Sequence, residues 1–348
     1  MSIPALKILY FGSDSGTCLD RANAYRRLGH YVEHINLRKL LPKISIVDIL
    51  TWRVGGHLFT PLLISKLKPI ISNKTFDICH VDGGEWITPK LIEFIKQTTR
   101  LIVNYNHDDP FSPRDRKRFK AYRDSVPYYD LLVVVRVENV AEAKQLNVKK
   151  VLRIYRCADE VSHAPKELSA EDREKWASEV LFLGTWMPER GGFLLKLIEL
   201  GIPLSIRGAN WHKAPEWPQL KPYFKGGELR GEEYTKAIQC AKVSIGLLSK
   251  GNRDLHTTRS AEIPAIGGLL CAERTSEHLY MFIEGQEALF WESPEECAKM
   301  CQYALDNEER RSNIAQAGHE KLKSQGFLNE VMLNNILENA FQSNNSNL

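Results

Sequence analysis

An arginine and a glutamate lie three positions apart in a segment that is otherwise mainly apolar. Arg259 and Glu262 belong to TTRSAEIPAIGGLL, Thr257 to Leu270. Residues three apart share one face of a helix, so the guanidinium could bind phosphate oxygens while the carboxylate accepts hydrogen bonds from two neighbouring hydroxyls. The alternative is an exposed ion pair worth roughly a few tenths of a kcal/mol. The segment thus predicts either an anion and hydroxyl site or a surface pair.

Two further loops in the second half of the chain could bind phosphate. GTWMPERGG begins at Gly184 after an apolar strand, so Thr185 and the following residues present free backbone N–H groups, and Arg190 could clamp a phosphate. Ordinary turn chemistry is the alternative. In the second loop, Thr275, Ser276 and Glu277 begin a helix, and capping is expected there whether or not phosphate binds. Arg207, in RGANW, is a further candidate for donor binding.

The first half has its own polar strand ends. NYNHDDP places His107 and Asp108 after a strand, where they could act as catalytic groups or contact a sugar; turn capping is the alternative. The loop GSDSGT, with Gly12, Ser13 and Gly16, resembles a phosphate loop. It lacks both the dinucleotide and the P-loop glycine patterns, which argues against NAD and ATP.

These loops need a scaffold in which strand ends converge. Apolar strands ending in glycine, such as KILYFG and EVLFLG, alternate with helical segments in both halves. This pattern predicts an α/β protein with two doubly wound, Rossmann-like domains, whose ligands bind beyond the carboxyl ends of the strands. The predicted domains span residues 1–165 and 175–326. Residues 327–348 are predicted to form a helix that returns to the first domain, with SNNSNL as a frayed tail.

Composition narrows the function classes. The 348 residues carry 47 basic and 43 acidic side chains, a net charge of +4, which makes a nucleic-acid partner a poor expectation. Seven scattered cysteines without CxxC pairs, and no export signal or long apolar run, predict a cytoplasmic protein. Cys297 and Cys301 are interpreted as packing residues, so no metal site is predicted. The basic run Arg114 to Arg123 is either a solvated helix face or a patch that contacts an anionic acceptor or the inner face of the membrane.

A longer pattern surrounds the first segment. Residues 252–268 read N-x-D-x-H-T-x-R-x-x-E-I-P-A-x-G-G, followed by E-G-x-E-A at 284–288, S-P-E-E at 293–296 and E-E-R-R-x-x-I-A-x-A-G at 308–318. In this order and spacing, the region Gly251 to Leu322 resembles the C-terminal domain of the CgeB-like bacterial glycosyltransferases. The first half resembles that family only loosely, through YNHDDPF and its strand and helix pattern.

The resemblance implies a GT-B fold, with two Rossmann-like domains facing an interdomain cleft. It implies a transferase that binds a nucleoside diphosphate sugar mainly through the second domain and an acceptor through the first. Related retaining enzymes carry an E-x7-E motif whose second glutamate binds ribose, which matches Glu262. The first position is Asp254 here, so its catalytic role is open. The same match includes Asn252, His256 and Thr257 in the donor site. Relatives also carry two cations after the first strand of this domain; here only Arg190 remains, and Arg259 could replace the other.

The expected activity is transfer of a sugar to a surface-glycan, lipid-linked or protein acceptor. Retention of configuration and independence of any metal or other cofactor follow from the resemblance. Two alternatives stay open, a GT-B sugar-nucleotide epimerase and a non-catalytic coat or assembly protein of the same fold. Neither the nucleotide nor the acceptor is specified by the residues.

Overall fold

The computed structural model describes residues 3–342, so the predicted frayed tail lies outside the described residues. Within this range the chain forms two compact units. The first comprises the described residues of Met1–Tyr155, Gly251–Arg253 and Asn329–Leu348, and the second comprises Arg156–Lys250 and Asp254–Leu328. Each unit is built on one six-stranded parallel sheet.

The two sheets have the same kind of topology. The first has the order β2-β1-β3-β4-β5-β6, with strands β1 (Lys7–Phe11), β2 (Tyr31–Ile35), β3 (Phe76–Asp82), β4 (Thr99–Asn106), β5 (Leu131–Val134) and β6 (Val151–Arg153). The second has the order β12-β11-β10-β7-β8-β9, with strands β7 (Ser178–Leu183), β8 (Leu204–Arg207), β9 (Phe224–Gly226), β10 (Ala241–Gly246), β11 (Leu270–Glu273) and β12 (Leu289–Trp291). The strand order reverses between β1 and β3, and again between β7 and β10. Ligands of open α/β sheets bind beyond the carboxyl ends of strands at such points.

Helices connect the strands and cover the sheets. Their bounds are α1 (Gly16–Arg27), α2 (Leu37–Leu40), α3 (Ser45–Val54), α4 (Thr60–Ile71), α5 (Pro89–Ile95), α6 (Lys120–Ser125), α7 (Val137–Gln145), α8 (Ala170–Trp176), α9 (Pro188–Glu199), α10 (Trp217–Leu220), α11 (Gly231–Gln239), α12 (Thr258–Ile266), α13 (Ser276–Met281), α14 (Pro294–Asp306), α15 (Glu308–Gln325) and α16 (Asn329–Gln342). Among residues 3–342, no helix is long and apolar enough to cross a bilayer.

The α/β fold class predicted from the apolar strands is confirmed. The central strands are buried on both faces, as in the four consecutive buried residues Leu131–Val134 of β5. Parallel sheets covered by helices require this continuous apolar character. The patterns did not predict α2, α3 and α4, which lie between β2 and β3. The solvent-facing side of α3 carries apolar residues, so it lacks the usual contrast between an apolar and a polar face.

A buried ion pair joins the first sheet to the helix α1. The Asp82 carboxylate, at the end of β3, is fully buried and lies 2.6 Å from Arg21 Nε of α1. It also accepts a hydrogen bond from the Tyr10 hydroxyl. Burial alone would raise the pKa of Asp82, but the charge and hydrogen bonds of Arg21 outweigh that effect and lower the pKa to about 2. The carboxylate is therefore ionised throughout the neutral range.

Candidate active site

The reversal point of the second sheet gathers several of the residues predicted to bind phosphate. Gly184 and Thr185 follow β7 directly, and Thr185 is exposed. Gly208, at the end of β8, adopts a φ of 141°, and a Cβ there would lie only 2.0 Å from the Gly184 carbonyl oxygen. Glycine at 208 thus allows the ends of β7 and β8 to approach closely.

Arg190 contacts the loops that follow β7 and β10. It lies in the first turn of α9 and is 8% exposed. Its Nη1 donates to the Thr185 carbonyl at 2.8 Å, and its Nη2 lies 3.3 Å from the Leu247 carbonyl beyond β10. The guanidinium thus contacts backbone carbonyls on both sides of the reversal point, an arrangement that orders the loops around it.

Arg259 presents a cation at the same strand end. It lies on α12, where its Nε donates to the Leu183 carbonyl, the last of β7, at 2.6 Å. The side chain is half-buried. Its two terminal nitrogens donate to no other described residue, and no carboxylate of residues 3–342 lies within ion-pair distance. These nitrogens can therefore receive an anion beside Gly184 and Thr185.

Glu262 lies one turn further along α12 and is 5% exposed. Its Oε2 accepts a hydrogen bond of 2.5 Å from the Tyr234 hydroxyl, and its Oε1 lies 3.6 Å from His163 Nε2. His163 Nδ1 accepts from the Asp159 amide, so the ring proton is on Nε2 and faces the carboxylate. The ion pair between Arg259 and Glu262, left open by the sequence, does not form among the described residues. Arg259 instead contacts the Leu183 carbonyl, and Glu262 contacts Tyr234.

A buried cluster holds the candidates that precede α12. Asp254 Oδ1 lies 3.0 Å from Arg156 Nη2, and Arg156 Nη1 donates to the His256 carbonyl at 2.5 Å. His256 Nε2 accepts from the Arg156 amide at 2.9 Å, so its proton is on Nδ1, which faces the Glu277 carboxylate. The structure therefore brings Asp254, His256 and Glu277 together around Arg156. No local pattern in the sequence indicates Arg156, because it is 98 residues from Asp254 along the chain.

The remaining candidates of the second half have mainly local contacts. The Thr275 hydroxyl caps α13 by accepting from the His278 amide at 3.0 Å, so the predicted capping is confirmed, and it donates to the Leu255 carbonyl. Ser276 is the first residue of α13. The Thr257 amide donates to the Ser260 hydroxyl at the start of α12. Arg207 lies at the end of β8 with its guanidinium 4.9 Å from the Trp176 ring. Asn252 belongs to the first unit, where its carbonyl accepts from Arg136.

The first unit contains a cavity at its own reversal point, between the ends of β1 and β3, with both polar and apolar residues in its wall. Its volume is about 360 Å³. Four predicted residues from two separate loops line it, namely Gly12, Ser13, His107 and Asp108. Gly16, which begins α1, is not among the lining residues. Asp82, Glu85, Trp86 and Arg118 also line it, and Arg118 lies 3.4 Å from Asp108.

Three buried thiols meet in the second unit. Cys297 and Cys301 of α14 face Cys271 of β11, and their sulfur atoms lie within 4.8 Å of one another. Hydrogen bonding with the thiols of Cys297 and Cys301, and then burial, raise the pKa of Cys271. All three side chains belong to the apolar core, in keeping with the interpretation of Cys297 and Cys301 as packing residues. The sequence had no signal that would add Cys271 to the pair, because it lies on a distant strand.

Two buried histidines predict acid sensitivity. Burial lowers the pKa of His80, in the first unit, and of His256, in the second, from 6.5 to about 4. Between these values the unfolded chain binds protons that the folded chain does not, so stability falls as the pH drops from 6.5 towards 4. Each histidine should lower the free energy of unfolding by about 3 kcal/mol over this window. Melting temperatures measured from pH 7 downwards should decrease accordingly, and a His80→Gln variant should show a shallower decrease. A melting temperature constant over the window would contradict both assignments.

This chain is similar to known proteins both in part of its sequence and in its fold. Residues 190–338 match a family model described as glycosyl transferase-like. No curated protein sequence is significantly similar to the chain. Among solved structures, sucrose-phosphate synthase from Thermosynechococcus elongatus has a TM-score of 0.69 at 11% identity, covering 97% of this chain and 99% of the other. Anabaena HepE, in complex with UDP-glucose, has a TM-score of 0.65 at 13% identity, covering 97% and 100%.

A third structure has the same architecture. An α,α-trehalose-phosphate synthase from Burkholderia xenovorans, in complex with glucose-6-phosphate, has a TM-score of 0.61 at 9% identity, covering 96% of this chain and 99% of the other. At such low identities these likenesses concern the fold. The predicted GT-B architecture, with two parallel α/β units, is therefore confirmed.

Proposed function

We propose that this chain, a glycosyltransferase of the GT-B fold with a glycosyl transferase-like region over residues 190–338, transfers a sugar from a nucleoside diphosphate donor to a hydroxyl of an acceptor. One observation carries the proposal. Arg259 and Glu262 project from one helix without pairing, and within residues 3–342 the two terminal nitrogens of Arg259 donate to no protein group at the carboxyl end of β7. A diphosphate beside a ribose offers the two partners that such a pair requires, an anion and two neighbouring hydroxyls.

In this proposal Arg259 and the amides at the start of α9 bind the diphosphate. Cleavage of the bond between sugar and phosphate leaves negative charge on the departing diphosphate, and preorganised cations and N–H groups stabilise that charge. Arg190 contributes by holding the loop at Thr185 against the loop at Leu247. Metal independence and retention of configuration are parts of the proposal that rest on the resemblance to CgeB-like and other retaining enzymes.

Glu262 is assigned to the ribose. An ionised carboxylate has about four acceptor positions. The Tyr234 hydroxyl occupies one and the His163 Nε2–H faces another, so two positions remain for two hydroxyls of a ribose. Asp254, His256 and Glu277 form the rigid wall that would face the donor sugar. Because Asp254 is paired with Arg156, we assign it to positioning rather than to proton transfer.

The acceptor is assigned to the cavity of the first unit. Carboxylates, two arginines, a histidine and Trp86 line this cavity together with apolar side chains, and such a set suits the hydroxyl groups and apolar faces of a carbohydrate. His107 Nδ1 lies 4.0 Å from the Asp82 carboxylate, so these two polar groups face each other at the cavity wall. The proposed acceptor is a glycan, free or attached to a lipid or a protein.

Replacing Glu262 with glutamine tests the donor site. We expect the Kd for the preferred nucleoside diphosphate to rise about 10- to 100-fold, because hydrogen bonds to a charged group contribute about 1.5–3 kcal/mol. The measurement is a thermal-shift titration with UDP, GDP, ADP and dTDP, in which binding to the native state alone raises the melting temperature. Glu199→Gln, on the exposed end of α9, is the matched control and should bind like the wild type.

Product analysis separates the proposed reaction from its alternatives. Incubation with a donor sugar and a glycan acceptor should release the nucleoside diphosphate and extend the glycan. Conversion of the donor sugar without any acceptor would identify an epimerase instead. Absence of a thermal shift with all four nucleotides, in a folded wild-type protein, would favour a non-catalytic role and refute the donor site.

A further inference from the structure

Helix α3 and the residues beside it expose an unusual number of large apolar side chains. Sixteen such residues are exposed in the described chain, and six of them fall within residues 44–58, namely Ile44, Ile46, Ile49, Trp52, Val54 and Leu58. Leu58 is 61% exposed and Trp52 is 47% exposed. Only Val47 and Thr51 of this helix are buried. A concentration of exposed apolar side chains of this kind marks an interaction site.

A cationic recess adjoins this apolar surface. It has a volume of about 380 Å³, and its walls are Trp52, Arg53, Arg114, Arg116 and Lys117, without any carboxylate. Three of these cations, Arg53, Arg116 and Lys117, are exposed and form no ion pair with a carboxylate of residues 3–342. The tryptophan belongs to both features, so the apolar surface and the recess are continuous. We call them together the α3 surface, comprising residues 43–58 and 113–120.

The α3 surface carries more positive charge than the rest of the chain together. Its two segments contain seven lysine and arginine residues and two aspartates, a net charge of +5, while the whole chain has +4. Both aspartates are already paired, Asp48 with Arg38 at 2.9 Å and Asp115 with Arg118 at 3.4 Å. Outside the segments, Glu85 pairs with Arg118 and Asp124 pairs with Lys120. The charge that has no carboxylate partner among residues 3–342 therefore includes Arg53, Arg116 and Lys117 of the recess, next to the apolar side chains.

We propose that the α3 surface binds the face of a lipid bilayer that contains anionic lipids. The apolar side chains would enter the boundary between headgroups and acyl chains, with Trp52 at the headgroup level, where tryptophan is favoured. The cations of the recess would contact lipid phosphates, while their aliphatic stems lie along the apolar surface. The ten residues of α3 are too few to span a bilayer, so the contact is peripheral. The earlier expectation of a contact through Arg114 to Arg123 lacked this apolar part.

The combination of the two features favours a bilayer over an acidic protein. An acidic protein surface would satisfy the cations, but it would leave the isoleucines of α3 facing charged groups. In an anionic bilayer the headgroup phosphates lie directly beside the apolar acyl-chain layer, so one surface can satisfy both the cations and the isoleucines. The inference goes beyond the proposed function, because it concerns where the protein binds and not which sugar it transfers.

Vesicle sedimentation of the full chain tests the inference. Wild-type protein should sediment with vesicles of phosphatidylcholine and phosphatidylglycerol, but much less with phosphatidylcholine alone, and added salt should weaken the binding. Arg53→Glu/Arg116→Glu/Lys117→Glu should lower the affinity about a hundredfold, since each cation near an anionic surface contributes about a factor of five. Ile46→Ser/Ile49→Ser should lower the affinity for anionic vesicles about tenfold or more, with little change in the salt dependence of binding.

Matched controls use exposed residues outside the α3 surface. Lys299→Glu/Lys323→Glu removes positive charge elsewhere, and Val331→Ser removes an apolar side chain that is 52% exposed. Both should bind vesicles like the wild type to within about twofold, apart from a weak effect of net charge. Wild-type protein that remains in the supernatant with anionic vesicles would overturn the inference, and so would equal losses in the control variants. Nucleotide thermal shifts should be unchanged in the α3 variants, so a failed vesicle experiment and a failed donor site are distinguishable.

Discussion

The Arg259→Ala enzyme is expected to lose about a hundred- to a thousandfold in kcat/KM for the nucleotide-sugar donor, the range found when one preorganised donor to a developing charge is removed. The physical reason is the position of the guanidinium. Its Nε is anchored on the Leu183 carbonyl at 2.6 Å, which leaves the two terminal nitrogens to bind the diphosphate as it departs. Initial rates at several donor concentrations measure the effect. A larger loss in kcat than in donor affinity is expected, because charge develops during the reaction.

The conservative variant sharpens this prediction. Arg259→Lys keeps the charge but lacks the planar fork, so it should recover only part of the lost activity. Arg173→Ala, on the exposed face of α8, is the matched control and should retain wild-type rates. If Arg259→Ala transferred sugar at the wild-type rate while remaining folded, the diphosphate site would have to lie elsewhere.

The second large effect concerns stability. Arg21→Met should destabilise the first unit by about 3–5 kcal/mol, because it leaves the fully buried Asp82 carboxylate without its counter-ion. Asp82→Asn should cost a similar amount by leaving Arg21 unpaired. The double variant Arg21→Met/Asp82→Asn should be more stable than the sum of the two single losses implies. Urea unfolding followed by circular dichroism measures all three variants.

The pH dependence provides an independent check on this ion pair. The pKa of Asp82 is about 2 in the folded chain and 3.8 without perturbation. Its contribution to stability is therefore present above pH 3.8 and is lost as the pH falls towards 2. In Arg21→Met the depressed pKa should disappear, because burial without the guanidinium raises the pKa of a carboxyl. Additive losses in the double variant would show that the pair is not coupled.

Many local elements could be predicted from the sequence. Near-continuous apolar runs such as Leu131–Val134 can only be buried between two helical layers, so they indicate parallel strands. Helix α12 could be predicted as well, because polar residues precede it and Gly267 ends it in the left-handed region, with a φ of 87°. Helix α3 could not be predicted, because its exposed apolar residues remove the periodic contrast on which such predictions depend.

The candidate site was only partly predictable. Arg259 and Glu262 stood out because charges in an apolar helix require a reason, and motif spacing added Asp254 and His256. Their partners gave no such signal. Arg156 and Tyr234 are ordinary residues in their local segments, so nothing near them in the chain indicates their contacts with Asp254 and Glu262.

The sequence by itself determined the alternation of apolar strands with helices outside the region of α2 to α4, the helix that carries Arg259 and Glu262, and the loops in which polar residues follow strands. These features depend on local propensity and on burial patterns within a few residues. Only the tertiary structure decided that Arg190 contacts carbonyls, that Arg259 keeps two donors available beside Leu183, and that Glu262 faces Tyr234. Arg259 and Leu183 are 76 residues apart along the chain, and Glu262 and Tyr234 are 28 apart. The physical reason is that side-chain partners are set by how strands and helices pack in space, and residues so distant in the chain leave no trace of that packing in local sequence.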